Sequence, residues 1–367
     1  MVEYDIIVVG SGLFGSVIAY RAKELGLKVL VLEKRSHVGG NIYDENNDGI
    51  LVHKYGPHIF HTNDKNVWKF VNKFANFRQY DHKVFAKFGN DVYTLPFNLH
   101  TFKQIYPEMV PTPSSLSKLL ENEHKIEYYE NPKNLEEKCV NLIGRKMYEI
   151  LVKGYTEKQW GCSSVDLPPE IITRIPVRNS FDNSYFNDIY QGIPEEGFTK
   201  MIVNMLNGIE VKTDVDFDEN KDFWLNKCAV LYYTGAIDKF CNYKYGPLGW
   251  RSLKFEEKTL YLPNFQGCPV LNYTEDIVPY TRIIEHKHFY WDKTKEIKKT
   301  ILTYEYPDNW EIGKEAYYPI NNSKNDSLYE KYLDFCSEVW PKVRFGGRLG
   351  GYSYLDMDDT IKLALKQ

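Results

Sequence analysis

The chain has 367 residues, enough for two or three domains around a sizeable core. Its formal net charge is −4, so no basic field draws it to nucleic acid, and no run reaches the roughly 20 apolar residues of a membrane span. The 29 tyrosines and 20 phenylalanines offer flat faces for sugars and bases, although many must simply pack in cores. The six cysteines form no C-x-x-C pair, and Glu3 and Asp5 precede only a short apolar run. Both features predict reduced thiols and a cytoplasmic protein without a signal peptide.

Tyr4 to Val9 opens the chain with a β-branched apolar run, as in a strand buried in a parallel sheet. Gly10, Gly12 and Gly15 follow at the G-x-G-x-x-G spacing. The first allows a tight turn, the second lets backbone approach a pyrophosphate, and the third lets helix pack on strand. A helical pattern from Ser16 to Leu25 leads to a second strand, Lys28 to Leu32, ending in Glu33. That spacing is close to the roughly 20 residues expected of an acid that binds a ribose hydroxyl. The order strand, glycine turn, helix, strand, acid predicts a dinucleotide whose anion sits at the helix N-terminus. Gly39-Gly40 resembles the continuation found in flavin-binding rather than nicotinamide-binding domains. His53, His58 and His61 lie around Gly56-Pro57 with no acid or cysteine among them. They read as loop histidines, packed or beside a flavin, and not as metal ligands.

Val84 to Leu95 alternates and predicts a hairpin turning at Gly89-Asn90. From Phe97 to Trp160 the pattern is helical. Ser114 or Ser115 is expected to cap one helix after Pro113, and Asn134 another with Glu136 and Glu137 in its first turn. Leu135, Cys139, Leu142, Ile143, Met147, Ile150 and Leu151 form a buried stripe, with an interruption expected at Gly144. Ile171 to Arg178 sets arginines among aliphatic residues, and Pro176 keeps it from being helical. Thr199 to Leu206 reads as a helix, Val211 begins a strand, and Val230 to Gly235 is a further buried strand. From Tyr243 to Tyr306 short alternating runs predict an antiparallel sheet. In it, Tyr280 to His288 is expected to be one strand, with Arg282, Ile284, His286 and His288 on one face. Val343 to Arg348 enters a glycine turn, and a helix follows from Met357. The chain thus leaves the nucleotide domain and returns at least twice.

Several long motifs occur in order: Val9 to Gly15, Lys54 to Asn63, Lys153-Gly154-Tyr155-Thr156-Glu157-Lys158-Gln159-Trp160-Gly161, Arg174 to Arg178, Tyr280 to His288 and Phe345 to Leu349. With them the sequence resembles the bacterial UDP-galactopyranose mutases over nearly its whole length. The resemblance implies an α/β fold: an FAD-binding Rossmann-type domain with an inserted α-helical bundle and an antiparallel β-sheet domain. The expected division is 1–77, 194–241 and 331–367 for the FAD domain, 97–172 for the bundle, and 78–96, 173–193 and 242–330 for the sheet. A homodimer is implied, as is interconversion of UDP-galactopyranose and UDP-galactofuranose for cell-surface glycans, with reduced FAD forming a covalent adduct to the sugar through N5.

By the same resemblance Arg174 and Arg282 stabilise the departing diphosphate, and His58 lies near the flavin ring. Gly10, Gly12, Phe14, Gly15, Glu33, Lys34, Gly40, Asn41, Ile59, Arg348, Asp356 and Met357 are the matching FAD contacts. Tyr155, the uracil-stacking position, leads the substrate contacts, with Thr156, Trp160, Tyr185, Asn272, Tyr318 and Tyr354. Tyr317 competes with its neighbour Tyr318. The sequence departs from the enterobacterial pattern at His82, where asparagine is common near the sugar, and at Leu151, where a larger aromatic is expected. A roomier pocket would admit UDP-N-acetylgalactosamine. The Gln159 to Pro168 stretch is a candidate lid. The alternative reading is a flavin oxidoreductase of the amine-oxidase type.

Overall fold

The structure, a computed structural model, describes residues 2–367 apart from the side chains of Thr173 and Arg174. Its base is a parallel sheet in the order Glu210–Lys212, Val29–Leu32, Tyr4–Val9, Cys228–Tyr233, Val343–Phe345. Alternate residues of the central strand serve two cores, because successive side chains leave a strand on opposite faces. Val8 packs with Val17, Ile18, Met201 and Ile361 under one layer of helices. Ile7 packs with Phe217, Phe240, Tyr332 and Cys336 on the other. Strand order reverses between Tyr4–Val9 and Cys228–Tyr233. In such sheets ligands bind outside the carboxyl ends at that reversal.

A second sheet has seven strands in the order Tyr318–Pro319, Trp250–Leu260, Thr300–Asn309, Arg282–Glu285, Val270–Tyr273, Val84–Phe88, Asp91–Leu95. It contains the expected hairpin, with Phe88 opposite Asp91. It is antiparallel except where Val270–Tyr273 runs parallel to Val84–Phe88. The hairpin joins from a distant part of the chain, so no tight turn dictates its direction. The strand expected to reach His288 ends at Glu285, and His286–Tyr290 forms a 3-10 turn. His286 and Lys287, neighbours in sequence, are both fully buried. His286 Nδ1 accepts from the His53 N–H, and Lys287 Nζ donates to the carbonyls of Pro263 and Ile297. These local partners replace the ladder that a longer strand would need.

The helical unit runs through Leu99–Ile105, Pro113–Ile126, Leu135–Ile143 and Arg145–Tyr148. Its core joins Leu135, Cys139, Ile143 and Met147 to Val84, Tyr93 and Leu95 of the hairpin. Asn134 caps its helix as expected, accepting from the Glu137 N–H. The helix before it, Pro113–Ile126, is capped differently from expectation. Thr112, not Ser114 or Ser115, accepts from the Ser115 N–H, and Pro113 takes the first helical position. Proline has no N–H to satisfy there, so the cap falls just ahead of it. Gly144, at φ +79°, separates two helices. A π turn, Glu149–Lys153, then feeds the helix Gly154–Trp160, and such turns are frequent at functional sites. The boundary expected at 330 falls inside one helix, Ser323–Val339, whose Tyr332 and Cys336 belong to the core of the parallel sheet. No helix among the described residues is long and apolar enough to cross a membrane.

Candidate active site

Beyond the carboxyl ends of Tyr4–Val9 and Cys228–Tyr233 lies a cleft of about 300 Å³. Its floor is the glycine turn. Gly10 has φ +97°, and a Cβ there would stand 2.1 Å from Thr234 Oγ1. A Cβ on Gly40, at φ +55°, would reach 2.8 Å from the Gly12 Cα. Two bare backbones thus form a slot that side chains would close. The helix Leu13–Glu24 starts at Gly12 with no side-chain cap, leaving its first N–H groups to an anion. Glu33 Oε2 accepts from the Ser11 N–H at 2.9 Å and the Ser11 hydroxyl at 2.6 Å, which fixes the turn. Cations from Lys34, Arg35 and Arg348 line the walls. The bare slot, free N–H groups and basic rim fit a dinucleotide with a pyrophosphate.

Of the expected cofactor contacts, Gly10, Gly12, Phe14, Gly15, Glu33, Lys34, Gly40, Asn41, His58, Arg348 and Met357 line this cleft. Ile59 is buried in the core behind it, and Asp356 precedes the helix Met357–Leu365 without lining the wall. Sequence reasoning missed Arg35, which donates to Asn41 Oδ1 from both terminal nitrogens and pairs with Glu315. A larger hollow of about 510 Å³ opens beside Asp44, Glu195, Lys200 and Lys293, but it contains none of the glycine turns.

His58 links the cleft to a second group of residues. Its Nδ1 is buried without a hydrogen-bond partner among the described residues. Burial first, then the charges of His53, Arg348 and Arg282, push its pKa down to about 3. The ring is therefore neutral. Arg282 lies on the sheet directly opposite both Asn272 and Glu305. Its Nε and Nη2 donate to Glu305 Oε2 at 2.9 and 2.7 Å. Burial opposes the guanidinium charge, but Glu305 more than offsets this and holds its pKa above the ordinary value. Sequence reasoning missed Glu305; its only signal was a lone acid in the apolar run Ile301 to Tyr306.

Aromatic rings close around this pair. Tyr318 and Tyr354 stack at 5.5 Å, and Arg348 lies over Tyr354 at 4.8 Å. Trp160 reaches within 6.5 Å of Tyr318. Tyr317 turns to Phe255 instead, so Tyr318 is the one of the two that joins the group. Burial raises the Tyr155 phenol pKa; Arg282 opposes this, while Glu305, Tyr185 and Tyr354 add to it. His82 is buried with Nδ1 unpartnered among the described residues, its ring 5.7 Å from Tyr185. Burial, then Arg282, lowers its pKa to about 3. Asn272 Oδ1 is likewise buried and unpartnered. Thr156 is buried on the helix that carries Tyr155. Leu151 is not brought into this group: it sits in the π turn, packed in the helical core. The Arg174 side chain lies outside the described residues. The candidate lid is pinned at both ends, by Arg251 donating to the Gln159 carbonyl and by the Leu135 N–H donating to the Leu167 carbonyl. Among the described residues no group of three histidines, cysteines or acids is placed to hold a metal.

The arrangement joins a dinucleotide cleft to an aromatic chamber with a fixed guanidinium at the junction. Residues 150–354 match the family model described as UDP-galactopyranose mutase, and residues 8–74 match an NAD(P)-binding Rossmann-like domain. A probable UDP-galactopyranose mutase of Klebsiella pneumoniae is 39% identical over 99% of this chain and 93% of its own. The chain belongs to the UDP-galactopyranose mutase family. As a member of that family it is a flavoprotein isomerase. A dTDP-fucopyranose mutase of Escherichia coli is 36% identical over 98% of this mutase and 96% of its own length. The fold is shared with a crystal structure of reduced UDP-galactopyranose mutase, at TM-score 0.71 and 15% identity over 99% of this chain and 94% of that one. It is shared more loosely with putrescine oxidase bound to putrescine, at TM-score 0.56 and 11% identity over 100% and 98% of the two chains.

Proposed function

We propose that this mutase interconverts UDP-galactopyranose and UDP-galactofuranose, with FAD in the glycine-walled cleft and active when reduced. The observation that carries the reading is Arg282, fixed by Glu305 and felt electrostatically by His58, at the junction of cleft and chamber. Breaking the bond from the anomeric carbon to UDP leaves a diphosphate that needs a positive partner. Arg282 commits Nε and Nη2 to Glu305, which aims the rest of its planar fork without reorganisation. Arg174 is proposed as the second cation. Reduced FAD, when bound, supplies the nucleophilic N5 that holds the sugar while the nucleotide is away. Tyr155 stacks on the uracil, with Thr156 and Trp160 beside it. Tyr185, His82, Asn272, Tyr318 and Tyr354 surround the sugar and diphosphate, and the unpartnered His82 Nδ1 and Asn272 Oδ1 are suited to sugar hydroxyls. His58 stays neutral and acts as a fixed dipole beside the cofactor, not as a proton carrier.

Chromatography of UDP-galactofuranose incubated with dithionite-reduced protein tests the reading. Pyranose product from the anaerobic reduced protein is expected; no pyranose there, with substrate-dependent oxygen uptake by the oxidised, dithionite-free protein, would point to the amine-oxidase type instead. The relative that acts on a dTDP-sugar, together with His82, favours a second reading in which another nucleotide sugar is preferred. The same assay with dTDP-fucose and UDP-N-acetylgalactosamine decides between them. A cytoplasmic homodimer supplying galactofuranose for surface glycans completes the proposal, and sedimentation velocity tests the dimer.

A further inference from the structure

The motif around Tyr155 contains a cation that the chemistry above does not use. Lys158 Nζ donates to four backbone carbonyls: Tyr273 at 2.8 Å, Glu275 at 2.6 Å, Val278 at 2.9 Å and Tyr280 at 3.1 Å. Tyr273 ends the strand Val270–Tyr273 and the other three lie in the turn from it to Arg282–Glu285; these two strands set Asn272 opposite Arg282. An ammonium has only three N–H groups, so this cage saturates it. Two more contacts close the same seam. The Thr274 hydroxyl donates to the Ile150 carbonyl at 2.7 Å, and a Cβ on Gly154 would stand 2.3 Å from the Thr274 backbone carbonyl oxygen. Arg251 holds the helix end through the carbonyls of Lys158 and Gln159.

We propose that Lys158 is a positioning residue of the mutase. Its caged ammonium sets the distance between the helix bearing Tyr155 and Thr156 and the strands bearing Asn272 and Arg282. The helix is expected to grip the nucleotide while the strands grip diphosphate and sugar, so the seam fixes both ends of one substrate. This rests on the function proposed above. Burial lowers the Lys158 pKa to about 8, with Asp276 and Glu275 pulling it back, so the cage holds a charged group at neutral pH. Arg282 stays clamped by Glu305, while Tyr155 and Thr156 would bind the nucleotide alike in ground and transition states, so loosening the seam acts chiefly on KM.

The test is Lys158→Ala in the reduced holoenzyme. KM for UDP-galactofuranose should rise roughly tenfold or more, with kcat changed far less. Hydrogen exchange should quicken selectively across 273–280. Added ethylammonium, which can refill the cage, should restore both; tetraethylammonium, with no N–H, should not. Wild-type KM, or exchange that quickens throughout the chain without rescue, would overturn the proposal. If wild-type protein itself failed to convert the sugar, the functional reading would fall, while exchange and its rescue would still test the seam. Should Lys158→Ala not fold, Lys158→Met keeps an apolar stem without charge or N–H: raised KM supports the role and wild-type KM overturns it.

Discussion

Arg282 and Glu305 stand opposite each other on adjacent strands, and one carboxylate oxygen of Glu305 receives two N–H groups of Arg282. The Glu305 side chain is 1% exposed and that of Arg282 is 22% exposed. Removing one partner of a buried pair strands the other charge, at a cost of about 3–5 kcal/mol. Because Arg282 keeps some water, Glu305→Ala should lie at the low end, about 3 kcal/mol in urea unfolding. Arg282→Lys keeps the charge and loses the fork, so kcat should fall about 10²–10³-fold. Wild-type kcat in that variant would remove Arg282 from the reaction.

The glycine turn separates fold from cofactor. A Cβ on Gly12 would meet only the Gly40 Cα, at an ordinary 3.8 Å, whereas one on Gly10 would collide with Thr234. Gly12→Ala should therefore fold with nearly unchanged thermal stability yet purify with little FAD, since its methyl occupies the slot. Gly10→Ala should lose stability itself, by at least about 1 kcal/mol from the positive φ alone. Flavin absorbance and scanning calorimetry distinguish the two; full flavin content in Gly12→Ala would refute the slot.

Stability should fall in acid. His58 and His82 have folded pKa values near 3 because burial disfavours their charge. In the unfolded chain they titrate near 6.5. Between those values the unfolded state binds more protons, so their contribution is complete above about pH 6.5 and declines as pH drops towards 3. Each adds a slope of up to about 1.4 kcal/mol per pH unit inside that window. His82→Phe should flatten the slope of urea-unfolding free energy between about pH 6 and pH 4. An unchanged slope would mean that His82 is protonated in the folded protein.

Tyr318 and Tyr354 stack beneath Arg348. Tyr318→Phe keeps the ring and should change flavin affinity little. Arg348→Ala removes the cation over both rings and the Nη2–H bond to the Leu355 carbonyl, and should weaken FAD binding about tenfold or more, read by flavin fluorescence titration. Equal affinity in wild type and Arg348→Ala would count against the assignment.

Much of the nucleotide domain was legible because its signals are local. The glycine spacing, the acid ending the second strand and the Asn134 cap each act over a few residues, and the chain obeys them. Expectations failed where a nearby competitor intervened. Pro113 moved a helix cap to Thr112, and local partners for His286 and Lys287 ended a strand early. Leu151 has the helical spacing of a core residue, and it is one.

By itself, the sequence determined which segments become the glycine turn, its flanking strands and the helical stripe, since backbone preference and apolar period are written in adjacent residues. Only the tertiary structure decided that Glu305 would face Arg282, that Lys158 would fill a cage of carbonyls more than a hundred residues away, and that His58 would be neutral. Those outcomes depend on strand register, on how two units dock, and on how much water is left around a ring. None of these is a property of any short stretch of chain.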